Sequence, residues 1–327
     1  MSFPLLRRPG AIVFLDDDPD YLEMLAVVLP RHWHVELFIR PHACINYLQQ
    51  EPPRWESDAW AQQQIIDHWR EGTSLIPQIL SYWAARPERY ALTQVCVFDY
   101  SMPGMDGLQA LGELVEWPGS RILLTGQADE QVAISAFNRG LIDQFIAKQT
   151  PDISHRLIDA VQHLLEAPHA RHAQIWRATL TPQQNALLRV PSISRDLSDF
   201  AVKHWVEHVV IGDPFGVLGR DAKGNVSWLQ LETTEGLAEL ATLAESQNLV
   251  PQTALQDVRQ GLRLIDLELQ QALGHATANM NPAFSFGLEQ TLLAALFPVS
   301  PDDTNPSLAA HSYAAWLAQH AARTVRD

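Results

Sequence analysis

Residues 11–15, Ala-Ile-Val-Phe-Leu, are apolar at every position and run directly into Asp16-Asp17-Asp18. A strand with one face in water alternates polar and apolar residues. An unbroken apolar run instead predicts a strand covered on both faces, as in a parallel sheet between two layers of helices. The next residues follow a different period: Tyr21, Leu22, Leu25, Val28 and Leu29 recur at helical spacing. The pair then repeats, with strand-like segments at 34–39, 95–98, 121–124 and 144–147 and helical patterns at 41–50, 107–116, 129–139 and 153–166. Strands alternating with helices predict a doubly wound α/β sheet, whose chemistry lies just outside the carboxyl ends of its strands. Those positions hold the acids after the first strand, Asp99 at the end of the third, Thr125 at the end of the fourth and Lys148 after the fifth.

Two interruptions set the domain organisation. Between about 51 and 91 lies a Trp-rich stretch with two helical patterns separated by Gly72-Thr73-Ser74, an inserted helical hairpin. Its aromatic residues Trp55, Trp60, Trp69, Tyr82 and Trp83 suit either a docking or dimerisation surface or a private core for the added helices. After about 167 a polar connector and breaks at Pro182 and Pro191 begin a second domain, giving a division into 1–166 and 167–327. Its strand signals lie at 209–211, 215–218 and 226–231, the last two joined by a turn at 220–225 that predicts a β-hairpin. Long Ala- and Leu-rich patterns at 235–247, 252–273 and 307–323 predict helices, so this domain is expected to be mainly helical α+β around a short hairpin at about 209–231.

Charge narrows the function classes. The formal net charge is −15, and residues 1–165 carry 12 basic and 21 acidic groups against 11 and 17 in the remainder. Binding nucleic acid requires a basic face to neutralise phosphates, so neither half is expected to be a nucleic-acid binder. No stretch approaches the ~18 consecutive apolar residues of a membrane span. No cleavable leader pattern precedes the first strand, and Cys44 and Cys96 both sit in apolar surroundings, as reduced buried thiols of a cytoplasmic protein do.

Four ordered segments resemble the receiver domain of two-component response regulators over about residues 10–166. These are LDDDPD at 15–20, VFDYSMPGMDG at 97–107, LLTGQ at 123–127 and FIAKQ at 145–149, with 26 positions from Asp99 to Thr125 and 23 from Thr125 to Lys148. The resemblance implies a flavodoxin-like, five-stranded parallel sheet of order 2-1-3-4-5. It implies Asp99 as phosphoacceptor, and Mg²⁺ held by Asp16, Asp17, Asp99 and the main-chain carbonyl of Ser101. Lys148 would pair with Asp99 and then with the phosphoryl group, while Thr125 and Phe145 would form the switch and Asp18 would stand by. The implied partners are a sensor histidine kinase or a phosphotransfer protein. Two features depart from the pattern: Gln149 stands where the family has proline, and the insertion stretches the spacing from Asp16 to Asp99 to 83 positions.

The physical need for such a site can be stated independently. A carboxylate attacking a phosphoryl group approaches several negative charges, which a divalent cation screens while holding the oxygens in line. Magnesium, which prefers oxygen ligands and retains several waters, suits a few carboxylates and a carbonyl.

The second half carries weaker signals. LTPQQNALL at 180–188 resembles the opening of helix-turn-helix output domains, but no recognition helix follows. Asp213, Asp221 and Lys223 form a metal-nuclease-like pattern that ordinary turn chemistry explains better. The leading expectation is a response regulator that signals through protein–protein contact with a partner or a second copy of itself. The alternatives are a transcriptional regulator with an atypical DNA-binding domain and a receiver-regulated enzyme.

Overall fold

The computed structural model describes residues 2–126, 130–167, 169–247, 250–288, 291–303, 307–320 and 323–326. In chain order the first half comprises β1 (Leu6–Arg7), β2 (Ala11–Leu15), α1 (Pro19–Val28), β3 (His34–Phe38), α2 (Pro41–Gln49), α3 (Pro52–Arg70), α4 (Leu75–Ala85), β4 (Thr93–Asp99), α5 (Gly107–Gly112), β5 (Ser120–Thr125), α6 (Glu130–Asn138), β6 (Gln144–Ala147) and α7 (Ile153–Glu166). The second half continues with α8 (Ala170–Arg177), α9 (Pro182–Leu187), α10 (Pro191–His204), β7 (Glu207–Gly212), β8 (Phe215–Arg220), β9 (Val226–Thr233), α11 (Leu237–Ser246), α12 (Gln252–Arg259), β10 (Arg263–Ile265), α13 (Leu267–Ala272), β11 (Met280–Pro282), β12 (Phe284–Phe286), β13 (Leu292–Pro298), α14 (Ser307–Ala310), α15 (Tyr313–His320) and β14 (Val325–Arg326). Asp129 of the expected helix 129–139 and Gln127 of LLTGQ lie outside the described residues.

Contacts divide the chain into two units. One gathers Pro9–Trp60, Glu88–Ala167 and Trp316–Asp327; the other gathers Met1–Arg8, Ala61–Pro87 and Pro168–Ala315. The first contains a fully parallel sheet of order β14-β3-β2-β4-β5-β6. Without the terminal β14 this is the expected five-strand order. Alternate residues of each strand face opposite layers, which is why the runs are apolar throughout. Val13, Leu15, Cys96, Phe98 and Leu123 pack with Cys44, Ile45 and Leu48 of α2, Ala110 and Leu111 of α5, and Ala133 and Ala136 of α6. Ile12, Phe14, Val95, Val97, Ile122 and Leu124 pack with Leu22 and Leu25 of α1 and Leu157, Ala160 and Val161 of α7. Truncating one such side chain, as in Leu22→Ala, costs about 2–5 kcal/mol through lost burial and the cavity left behind.

Local sequence starts the helices that flank the strand ends. Asp18 caps α1 by accepting from the backbone N–H groups of Asp20 and Tyr21, with Pro19 in the first turn. Asp106 and Gln109 form a reciprocal capping box at the start of α5. Glu51, buried after α2, accepts from the Thr93 backbone N–H, the Thr93 hydroxyl at 2.7 Å and the Trp117 indole N–H at 3.0 Å. It thereby ties the base of the insertion to the start of β4. The last described segment is tied as well: β14 pairs with β3 as the edge strand of the sheet, and Arg323 donates to the carbonyls of Ala26, Leu29, Pro30 and Trp33 around the end of α1.

The second unit is built on an antiparallel sheet of order β1-β7-β8-β9-β13-β12. The expected hairpin is present as β8 and β9. Asp221 shapes its turn by accepting from the backbone N–H groups of Lys223 and Asn225, and Gly224 takes φ +97°. Asp221 and Lys223 are thus turn residues, and no described metal cluster includes them.

Several expectations need correction. A single boundary near 166/167 is replaced by repeated passage between the units, because terminal strands too short to carry a pattern complete sheets far along the chain: β1 joins β7 and β14 joins β3. The inserted helical hairpin exists as α3 and α4, but residues 61–87 of it belong to the antiparallel-sheet unit. Of its aromatic residues, Trp55, Tyr82 and Trp83 are buried while Trp60 is exposed, and α4 packs on α13 and α14 of the antiparallel-sheet unit. The long helix expected at 252–273 is α12, β10 and α13, broken at Gly261 with φ +69° and drawn into a ladder with β11. Over its described residues the helix expected at 307–323 is the separate α14 and α15, and residues 321 and 322 lie outside them. The lone hairpin is part of a six-stranded sheet, since β13, Leu-Leu-Ala-Ala-Leu-Phe-Pro, reads as helix by composition.

Candidate functional site

Parallel pairing brings the carboxyl ends of four strands to one edge. Leu15 pairs with Phe98, Asp99 with Leu124, and Thr125 with Ala147. Asp16, Asp99, Thr125 and Lys148 therefore converge although 132 positions separate the first from the last. Asp16 and Asp99 are buried and Asp17 is half-buried, and the three offer carboxylate oxygens within 4.8 Å of one another. Among the described residues this is the one cluster of His, Cys, Asp or Glu side chains suited to a metal.

Lys148 bridges two of these acids, its Nζ lying 2.7 Å from Asp16 Oδ2 and 2.8 Å from Asp99 Oδ1. Burial pushes the Asp16 carboxyl above the usual carboxylate range, against the opposing hydrogen bond from Lys148. Burial likewise pulls Lys148 down, but its bonds to Asp16 and Asp99 outweigh that and leave the ammonium held above its ordinary value. Three carboxylates against one ammonium leave two formal negative charges, the complement of a divalent cation. The donors are hard oxygens, which fit Mg²⁺ better than a thiophilic metal.

The backbone around Asp99 is tightly constrained. The Tyr100 N–H donates to the Leu124 carbonyl, while the Tyr100 carbonyl accepts from Met102 and Gly107. A Cβ on Gly107 would lie 2.2 Å from the Asp99 carbonyl oxygen, so only glycine lets α5 begin this close to the strand end. Ser101 lies exposed in this folded-back loop.

On the other side, the Lys148 N–H donates to the Thr125 carbonyl and the Thr150 N–H to the Ala147 carbonyl. These hydrogen bonds hold the turn after β6 that contains Gln149. Thr125 is buried beside the acids. Phe145 is half-buried, packed against the core layer that contains Phe98 and Leu123, and it also lines a groove of about 600 Å³ with Arg156 and His163. Asp18 turns its carboxylate into the helix cap, while its own N–H donates to Asp16 Oδ1 at 3.1 Å.

One neighbour escaped the sequence reading. Tyr21, which counted only as an apolar helix position, places its ring centroid 4.8 Å from Lys148 Nζ. Its hydroxyl is buried without a hydrogen-bond partner, and burial pushes it up to about 12. The available signal was its position: the N–H of Tyr21 is capped by Asp18, in the turn that follows the acid cluster.

No protein-family model matches the chain, and no curated protein does. Among solved structures, the response regulator LqsR of Legionella pneumophila is similar over 98% of this chain and 97% of its own, with a TM-score of 0.71 and 23% identity. A response regulator receiver domain protein from Clostridium thermocellum matches 48% of this chain and 94% of its own at a TM-score of 0.31 and 16% identity. An adenylate cyclase structure from Rhodopirellula baltica matches 48% and 90% at a TM-score of 0.31 and 18% identity. The chain shares the fold of LqsR along almost its whole length, and that fold contains the expected flavodoxin-like parallel sheet.

Proposed function

We propose that the chain is a two-component response regulator that takes a phosphoryl group on Asp99 from a phosphohistidine of a sensor histidine kinase or phosphotransfer protein. The observation that carries this reading is the Lys148 ammonium placed between Asp16 and Asp99 at the strand ends, within a cluster of three carboxylates. Asp16, Asp17, Asp99 and the Ser101 main-chain carbonyl are the proposed Mg²⁺ ligands. When bound, the metal screens the phosphoryl charge and aligns its oxygens.

A carboxylate oxygen of Asp99 attacks phosphorus, the phosphorus–nitrogen bond of the donor breaks, and the departing imidazole nitrogen keeps the electron pair and takes a proton. Lys148 then shifts its interaction from the Asp99 carboxylate to a phosphoryl oxygen, a role suited to a point charge on a flexible stem. Thr125 donates its hydroxyl to another phosphoryl oxygen, and Phe145 moves with it to change the surface around β6.

The antiparallel-sheet unit is the proposed output, acting through contact with a protein partner or a second copy of the chain. Its acidic balance speaks against a phosphate-neutralising nucleic-acid surface. No described helix is long and apolar enough to cross a membrane, and the proposed site of action is the cytoplasm.

The direct test is to incubate wild type and Asp99→Asn with acetyl phosphate and Mg²⁺ and to weigh the intact chains. Wild type should gain one phosphoryl group and the variant none. Equal gain by both would show a different acceptor, and gain by neither would sink the reading for this donor. Specific retardation of DNA by the phosphorylated chain at physiological salt would overturn the protein–protein output in favour of a transcriptional one.

A further inference from the structure

The ammonium of Lys148 has three N–H groups, of which Asp16 and Asp99 engage two. A lysine side chain held only by two like-charged neighbours can swing toward either, and its long stem has many rotamers to choose from. The structure supplies a third constraint in the ring of Tyr21, 4.8 Å from Nζ. The backbone of that residue is anchored at the start of α1, where Asp18 accepts from the Tyr21 N–H at 3.2 Å, and its side chain packs against the core layer of Leu22 and Leu25. The helix start that follows the acid cluster thus also sets the ring against the lysine.

An aromatic face suits this position for a physical reason. It attracts a cation through its quadrupole without adding charge and without offering an oxygen that would compete for a divalent metal. A carboxylate in its place would hold Lys148 more strongly but would add a fourth negative charge to a site that must receive an anionic group. A ring keeps the ammonium in place while leaving its charge available.

We propose that Tyr21 is a positioning residue for phosphoryl transfer, its ring face holding the Lys148 ammonium between Asp16 and Asp99 so that the charge stands ready when a phosphoryl group arrives. This rests on the phosphoacceptor reading of Asp99. The ring, and not the hydroxyl, is the working part, because the hydroxyl has no hydrogen-bond partner.

The test combines a resonance with a rate. The chain has three lysines, Lys148, Lys203 and Lys223, so its lysine ε-methylene signals are few and assignable with Lys148→Met. An aromatic ring facing the ammonium should move the Lys148 signal upfield in wild type, and Tyr21→Leu should abolish the displacement while Tyr21→Phe restores it. The rate of labelling by acetyl phosphate should fall about tenfold in Tyr21→Leu, the scale of a desolvated cation–π contact, and recover in Tyr21→Phe. In the Lys148→Met background, Tyr21→Leu should cause no further loss, whereas a merely structural role for Tyr21 would slow both backgrounds alike. An unshifted Lys148 signal in wild type, an unchanged rate in Tyr21→Leu, or additive losses in the double variant would each overturn the proposal. Failure of wild type to gain phosphate would instead strike the phosphoacceptor reading, and the resonance would still decide whether the ring holds the lysine.

Discussion

Removing the Lys148 charge should destabilise the metal-free chain and make it depend on magnesium. In Lys148→Met, Asp16 and Asp99 lose a partner at 2.7 and 2.8 Å, and their side chains are only 2% and 5% exposed. Stripping one partner from a fully buried pair costs about 3–5 kcal/mol, and an exposed pair is worth about 0–1 kcal/mol. The lysine side chain is 27% exposed, which places the expected loss between these limits, at about 2 kcal/mol. The assay is denaturant unfolding followed by tryptophan fluorescence at neutral pH, in EDTA and in excess Mg²⁺. The deficit should be largest in EDTA and should shrink in Mg²⁺, because the variant's cluster has lost a positive charge, binds the cation more tightly than wild type does and so gains more by mass action.

The pH dependence has a definite sign. Asp16 is raised in the fold, so its contribution is fully present below the ordinary aspartate value and is lost as pH rises through its folded value. Lys148 is also raised, so its contribution persists at every pH below the ordinary lysine value and adds no slope near neutrality. Loss of the lysine raises Asp16 further, so the gap between variant and wild type should open as pH rises through the carboxylate range and close in acid. A variant as stable as wild type in EDTA, or a deficit deepened by Mg²⁺, would refute the reasoning.

Other outcomes follow from neighbouring contacts. Glu51→Ala leaves the Thr93 N–H and hydroxyl and the Trp117 N–H without their acceptor and should cost about 3 kcal/mol, read by the same unfolding assay. Burial raises the Glu51 carboxyl, so wild type should lose stability relative to Glu51→Gln as pH climbs from the ordinary glutamate value through the folded one, and parallel pH curves would contradict this. Gly107→Ala must displace the backbone of Asp99 and should slow acetyl phosphate labelling at least about tenfold, measured by intact mass against time. Arg323→Ala removes donors to four carbonyls and should loosen β14, so that the Ile39 amide, which donates to the Arg326 carbonyl, exchanges faster with deuterium.

Much of the parallel-sheet unit was legible because its information is local. Ala11–Leu15 has the unbroken apolar pattern of a strand buried on both faces, and the chain places Asp16, Asp99, Thr125 and Lys148 at the ends of its first, third, fourth and fifth strand patterns, which a parallel sheet gathers at one edge. The turn at 220–225 was equally local, since Asp221 and Gly224 carry its geometry themselves. Segments whose state depends on distant partners were not legible. Residues 263–265 continue a helical pattern, yet they become a strand because Gly261 breaks the helix and Met280–Pro282 offers a ladder. Tyr21 has the same helical spacing as its apolar neighbours, and only the folded chain shows that Lys148, 127 positions later, lies against its ring.

The sequence by itself therefore determined the alternation of strands and helices, the acids that close the strands, and the lysine set among them. Tertiary structure decided how the chain is shared between two units, which short terminal segments complete which sheets, and what steadies the lysine. The first set rests on periods and turns that a few consecutive residues encode. The second rests on backbone pairing and side-chain contacts between residues far apart, for which no local pattern exists.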